Sequence, residues 1–140
     1  MTIATGEPIL ASDINAAITA AAGDILLQSA DTQRTHDTTT YTKIKEMQLA
    51  FRGGIYRIKF DLKGGGGVPS YGRIYRNGGA VGTEQSDSTG SYVNKSEDIS
   101  GWASGDLVQL YAKITSGGLA YVQNFRIYAT IPDITTVNTD

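Results

Sequence analysis

From residue 55 onward the chain alternates apolar and polar residues with a period of two. Tyr56, Ile58, Phe60 and Leu62 fall on one side of an extended backbone, and Ile55, Arg57, Lys59, Asp61 and Lys63 on the other. Successive side chains of a strand point to opposite faces, so this run predicts a half-buried strand with one wet face. Residues 107–115 repeat the pattern, with Val108, Leu110, Ala112 and Ile114 together. The last run places Leu119, Tyr121, Gln123, Phe125, Ile127 and Ala129 on one side and Val122, Asn124, Arg126 and Tyr128 on the other. Within 41–51, Met47, Leu49 and Phe51 alternate but Ile44 falls out of step, which predicts a bulge near Lys45 and Glu46. Shorter strand signals stand at Ile25-Leu26-Leu27 and from Ser91 to Ile99.

The connections are as telling as the strands. Asn77-Gly78 follows a β-branched and aromatic run and precedes small residues, and these two residue types reach the positive φ of a tight hairpin at least cost. Residues 31–40, 64–67 and 84–90 read as loops, the glycine run at 64–67 as a flexible one. About eight strands with turn signals every 8–12 residues predict an all-β fold, a jelly-roll-like antiparallel β-sandwich over 24–132. No helix lies between strands to carry a parallel crossover.

Residues 1–23 differ from this body. Pro8 marks an extended arm, Ser12-Asp13 offers an N-cap, and residues 14–22 form the one predicted helix, closed by Gly23. Ile14, Ala17, Ile18 and Ala21 share a narrow, alanine-rich face. So short a helix is marginal alone, and it needs the domain's own sheet, an equivalent helix of another subunit, or a partner's surface. Ile9, Leu10 and that face are therefore the expected docking residues. The tail, 133–140, is polar.

Composition changes the picture little. The 140 residues suit one domain, and 17 glycines with eight tyrosines fit short strands with many reversals. A net charge of −2 gives no global pull toward nucleic acid or an anionic membrane. Nine of the twelve Lys and Arg lie between Arg34 and Arg76; they read as solvent faces of amphipathic strands, with a polyanion-binding face as the alternative. There is no cysteine, no apolar stretch near the roughly 20 residues of a bilayer span, and no secretion signal at the N-terminus.

Catalytic constellations are missing. His36 stands alone, no GxSxG elbow exists, and the glycines at 64–67 lack the Lys-Ser/Thr and helix of a phosphate loop. Glu97 and Asp98 are strand neighbours and point apart, while Glu46, Asp61 and Asp87 cannot be paired from sequence, so a glycosidase is disfavoured. No catalytic residue, metal site or cofactor is assigned. Aromatics are the better recognition candidates: Tyr71, Tyr75, Tyr92 and Trp102 foremost, with Tyr111, Tyr121 and Tyr128, although core and sheet-face packing accounts for most of them and Trp102 is read first as a cap on the end of the sandwich.

Two patches carry a resemblance. Gly6-Glu7-Pro8-Ile9-Leu10-Ala11-Ser12-Asp13-Ile14-Asn15 resembles the start of many tailed-bacteriophage and prophage virion proteins, often of fibre or tail. Residues 55–63 and 74–78, with Val81-Gly82-Thr83-Glu84, Ser100-Gly101-Trp102 and residues 105–111, are similar to a β-sandwich module of phage tail and particle-surface proteins. The resemblance implies a non-enzymatic structural subunit of the virion, made in the bacterial host cytoplasm. It implies a homo-oligomer, with trimers common, meeting capsid or tail proteins. With no repeat and no heptad shaft, a compact decoration, tail-tip or adaptor subunit is expected rather than a long fibre. The alternative is a carbohydrate-binding module that reads host surface glycans for a phage tail. Neither nucleic acid nor membrane insertion is expected.

Overall fold

The computed structural model describes residues 23–65 and 67–131, and the predicted arm, helix and tail lie outside them. Ten strands form: β1 (Gly23–Ala30), β2 (Arg34–His36), β3 (Thr42–Gln48), β4 (Gly54–Gly64), β5 (Ser70–Arg76), β6 (Gly79–Ala80), β7 (Gln85–Asp87), β8 (Val93–Trp102), β9 (Leu107–Ile114) and β10 (Ala120–Ile131). They make two antiparallel sheets. The first runs β1-β10-β4-β8 with β2 also on β10, and the second runs β3-β9-β5-β6 with β7 also on β5. The all-β antiparallel sandwich is thus as expected. The strands number ten rather than about eight because β2 and β7 are short, polar segments inside stretches that pattern alone reads as loops.

The core fills the space between the sheets. Ile58, Phe60 and Leu62 of β4 and Val122, Phe125 and Ile127 of β10 face Val108 and Leu110 of β9, Ile74 of β5 and Met47 of β3. Trp102 joins them where β8 ends opposite Gly54, closing that end of the sandwich. Lys45, only 7 % exposed, reaches from β3 to donate a 2.7 Å hydrogen bond to the Ala30 carbonyl on the opposite sheet. Burial, and then Arg34 nearby, hold its ammonium below the usual lysine range, partly opposed by Asp31.

Bulges decide which residues reach this core. On β3 the register slips between Lys43 and Lys45, one residue earlier than expected, and carries Met47 inward. On β10 it slips between Gln123 and Arg126, where Asn124 takes φ 52°. The single continuous face expected for 119–129 is therefore corrected. Ala120 and Val122 are buried before the bulge and Phe125 and Ile127 after it, so Tyr121 and Gln123 lie outward. An extra residue in one strand inverts the alternation beyond it, and one unbroken period carried through 119–129 puts Val122 on the wrong side. The Asn124 amide holds the bulge by donating to Asp61 Oδ2 at 2.9 Å.

Three glycine positions carry geometry. Asn77 and Gly78 have φ 51° and 86° and turn β5 into β6, as predicted; the Asn77 side chain accepts from Leu107 N–H and donates to Asp106. Gly64, expected in a flexible loop, ends β4, and its N–H donates to the Asp87 carboxylate at 3.0 Å. Burial pushes the Asp87 carboxyl upward, but the donors Gly64 and Thr89 outweigh it and leave it below the usual range. Gly72 in β5 lies against Phe60: a Cβ there would stand 2.6 Å from that ring. Gly72→Ala is expected to cost about 1–3 kcal/mol of stability by overpacking. Urea unfolding checks this, and an unchanged midpoint would contradict the packing described.

Candidate aromatic platform on the second sheet

The outward positions of β3, β9 and β5 follow from the register. Tyr71 pairs with Lys113, Arg73 with Tyr111, and Tyr75 with Gln109; across the other side of β9, Lys43 pairs with Tyr111 and Glu46 with Gln109. Each of these positions alternates with a core residue, so the period that buries Ile74, Leu110 and Met47 also turns the tyrosines outward. Tyr41, just before β3, completes the group. Tyrosine suits such exposed strand faces because its ring packs flat while its hydroxyl stays wet.

Four half-buried tyrosines meet here. Tyr75 and Tyr111 stack at 3.7 Å between centroids with planes 9° apart, and Tyr41 lies 6.2 Å from Tyr75 at 56°. The Lys113 ammonium sits 4.7 Å from the Tyr41 ring centroid and 5.2 Å from that of Tyr71, within cation–π range of both. Glu84 anchors the group from the connection between β6 and β7. It accepts from the Tyr41 hydroxyl at 2.7 Å and lies 3.5 Å from Lys113 Nζ. Beneath the stack, Gln109 is 4 % exposed and fully used: it accepts from Gly78 N–H and donates to Glu46. That donation, with the Lys43 ammonium beside it, keeps the Glu46 carboxyl below its usual range. Arg73 Nε donates to the Gly82 carbonyl at 2.6 Å. The result is a cluster of stacked and tilted rings beside the tethered side chains of Glu46, Glu84 and Gln109, with Arg73 held by one nitrogen, which suits non-covalent recognition of a ligand with alternating apolar and hydroxyl-bearing surface.

The expected recognition residues divide. Tyr71 and Tyr75 are both in the array. Tyr92 lies on the other sheet, with Lys63 Nζ 4.8 Å above its ring, and Trp102 is 4 % exposed within the core under the Arg76 guanidinium. Tyr111, also among the aromatic candidates, joins them in the array, while Tyr121 and Tyr128 lie on the first sheet beside Lys63 and Lys59. Tyr41 is not legible in advance, because its partner, Glu84, is 43 residues away and invisible to any local pattern. The docking residues Ile9, Leu10, Ile14, Ala17, Ile18 and Ala21 lie outside the described residues.

The rest of the described surface is less suited. The outer face of the first sheet carries an ion-pair lattice: Arg57 bridges Asp24 at 2.8 Å and Asp98 at 2.7 Å, Lys59 also meets Asp24, and Arg126 meets Asp31 at 2.9 Å. Lys59 foremost, with Arg57, holds Asp24 below the usual carboxylate range. Glu97 is turned to Thr83 N–H and Asp98 to Arg57, so these neighbours do point apart. Asp61 is occupied by the amides of Asn94 and Asn124. His36, in β2 rather than a free loop, hydrogen-bonds Thr38 at 2.6 Å. No group of three metal-ligating side chains occurs among the described residues, and no described helix is long and apolar enough to cross a membrane. An open apolar groove of about 660 Å³ between Leu27, Phe51, Ile55, Tyr56 and Ala129 offers few polar groups.

No protein-family model and no curated protein matches this sequence. Among solved structures, the EclA C-terminal domain, a sugar-binding protein, is similar over 74 % of this chain and 81 % of its own, with a TM-score of 0.55 and 11 % identity. Weaker similarities are to the CBM22-1 xylan-binding domain of Paenibacillus barcinonensis Xyn10C (TM-score 0.49, 16 % identity, 79 % of this chain and 97 % of that one) and to the C-terminal CBM6 of LamC, a marine laminarinase of Zobellia galactanivorans (0.44, 19 %, 74 % and 93 %). At these identities what is shared is the fold, a β-sandwich.

Tyr41 makes the electrostatics testable. Burial first, and the carboxylate of Glu84 second, raise its phenol above the ordinary value of 10.0. A raised pKa means that the folded state holds the proton more tightly, so this stabilisation is complete below about pH 10 and drains as pH climbs further. Tyr41→Phe is expected to be less stable than the parent at neutral pH, with the gap narrowing above pH 10. Denaturant unfolding at both pH values measures it, and a gap independent of pH would contradict the described environment.

Proposed function

We propose that this protein is a non-enzymatic carbohydrate-binding module that takes saccharide on the tyrosine array of its second sheet. The observation that carries this reading is the stacked Tyr75–Tyr111 pair flanked by Tyr41 and Tyr71 on one exposed sheet face. Sugar rings present apolar C–H faces edged by hydroxyls, and aromatic faces beside fixed polar groups match both at once. The sandwich fold it shares with a sugar-binding domain is in keeping with that use. The carboxylates weighed for catalysis are engaged by Arg57, by side-chain amides or by backbone N–H groups, which favours binding over bond cleavage.

The setting we propose is the bacteriophage particle, with the module as a receptor-reading or decoration subunit. Its support is the resemblance of residues 6–15. Self-association, as a trimer or another homo-oligomer, would run through Ile9, Leu10 and the Ile14, Ala17, Ile18, Ala21 face. In its favour, the exposed side chains of Phe51 and Ile55 line an open apolar groove with Leu27 and Ala129 that assembly would cover.

A glycan array probed with the full chain tests the first reading. Tyr71→Ala or Tyr75→Ala is expected to weaken saccharide binding by roughly tenfold or more, as loss of a central aromatic anchor does. Tyr92→Ala, on the other sheet, should leave binding unchanged. An array blank for the parent protein contradicts the reading. Mass measurement in solution tests the second: removal of residues 1–22 is expected to leave a folded sandwich that is monomeric, and an oligomer of unchanged size would refute the docking role.

A further inference from the structure

The charges on the array do not cancel, and the surplus has a defined place. Lys43 is paired with Glu46 at 3.1 Å and Lys113 with Glu84 at 3.5 Å. That leaves Arg73. It stands on β5 between Tyr71 and Tyr75 and directly opposite Tyr111, so three of the four tyrosines are its neighbours in the sheet. Its Nε is committed to the Gly82 carbonyl, which fixes the guanidinium against the sheet. Among the described residues neither of its terminal nitrogens has a hydrogen-bond or ion-pair partner. By contrast, Arg57 engages carboxylates through three nitrogens and Arg126 through two. Arg34, Arg52 and Arg76 also lack a carboxylate partner among the described residues, but they lie on β2, at the apolar groove and over Trp102, away from the tyrosine row.

We infer that the array takes an acidic saccharide, one bearing carboxylate or sulfate, with Arg73 as the residue that reads the charge. This inference rests on the saccharide-binding reading above and narrows its ligand class. A guanidinium held by one nitrogen presents its remaining planar N–H groups in the geometry that a carboxylate or sulfate accepts in pairs. The surrounding rings exclude part of the water that would otherwise weaken that contact, and they supply the stacking surface for the sugar itself. Lys43 lies across Tyr111 from Arg73, on the third strand of the same row, roughly 10 Å away at the usual strand spacing. A chain of acidic sugars running along that row would pass the Lys43–Glu46 pair there, so Arg73 is the one cation of the row with no carboxylate partner among the described residues. Recognition thus needs no net positive charge on the protein, which carries −2.

Binding of the full chain to polygalacturonate, to dextran sulfate and to neutral dextran, by affinity electrophoresis and calorimetry, tests the inference. The parent protein is expected to bind at least one acidic polymer and to discriminate against dextran; the first two polymers separate carboxylate from sulfate as the group read. Arg73→Gln should weaken acidic binding by roughly tenfold or more, and Arg73→Lys, which keeps the charge without the fork, by less. Tyr75→Ala should lose it too, with thermal melting checking that each variant is folded. If dextran or other neutral glycans bind as well as the acidic polymers and Arg73→Gln changes nothing, the inference is overturned while the saccharide reading stands. Acidic binding that survives both Arg73→Gln and Tyr75→Ala places the contact on other cations and overturns it as well. If no polymer and no arrayed glycan binds, both readings fall together.

Discussion

Two sheets share one core here, and that single packing constraint orders everything else on the molecule. Phe125, Ile58, Leu62, Leu110 and Val108 are almost completely shielded from water, and each comes from a strand whose alternate residues must then face outward. Burying such side chains is worth about 1.5–3 kcal/mol each, far more than any one surface contact, so the core dictates the register and the surface inherits it. The tyrosine array is therefore not assembled by contacts of its own. It is the far side of the strands that bury Ile74, Leu110 and Met47.

Where strict alternation would put the wrong residue inside, the chain inserts one more. The bulge at Asn124 lets Val122 and Phe125 both point inward, and the slip after Lys43 brings Met47 and Leu49 to the core while Lys43 and Glu46 stay outside with Tyr111 and Gln109. These irregularities are held by specific hydrogen bonds, Asn124 to Asp61 among them. They shape the proposed site, since without the slip in β3 the row that joins Arg73, Tyr111 and Lys43 would not form.

Much of this was legible beforehand, and the misses have definite causes. The wet and dry faces of 55–63 and 107–115 could be read directly, because those strands alternate without interruption, and Asn77-Gly78 announced its turn. The face of 119–129 was misassigned because a bulge leaves no mark in composition beyond a residue, here asparagine, that tolerates positive φ. β2 and β7 were read as loops because Arg34-Thr35-His36 and Gln85-Ser86-Asp87 are polar, and only their ladders with β10 and β5 make them strands. Of the residues in the tyrosine array, Tyr71, Tyr75 and Tyr111 are legible by type and strand position, and Trp102 closes the end of the sandwich as its flanking turn signals suggest. Tyr92 falls on the opposite face, because sequence ranks aromatics by kind and not by which sheet they end on. The gathering of Tyr41, Glu84 and Lys113 joins segments far apart in the chain, so it belongs to tertiary structure alone.

The central claim is that ligand meets this protein on the outer face of the second sheet, not at an edge, a loop end or the apolar groove. Backbone amide chemical shifts followed during titration with a bound saccharide address it residue by residue. Perturbations are expected to gather at Tyr41, Lys43, Tyr71, Arg73, Tyr75, Tyr111 and Lys113. Perturbations centred instead on Phe51, Ile55 and Ala129, or on the Asp24, Arg57 and Asp98 lattice, would contradict it.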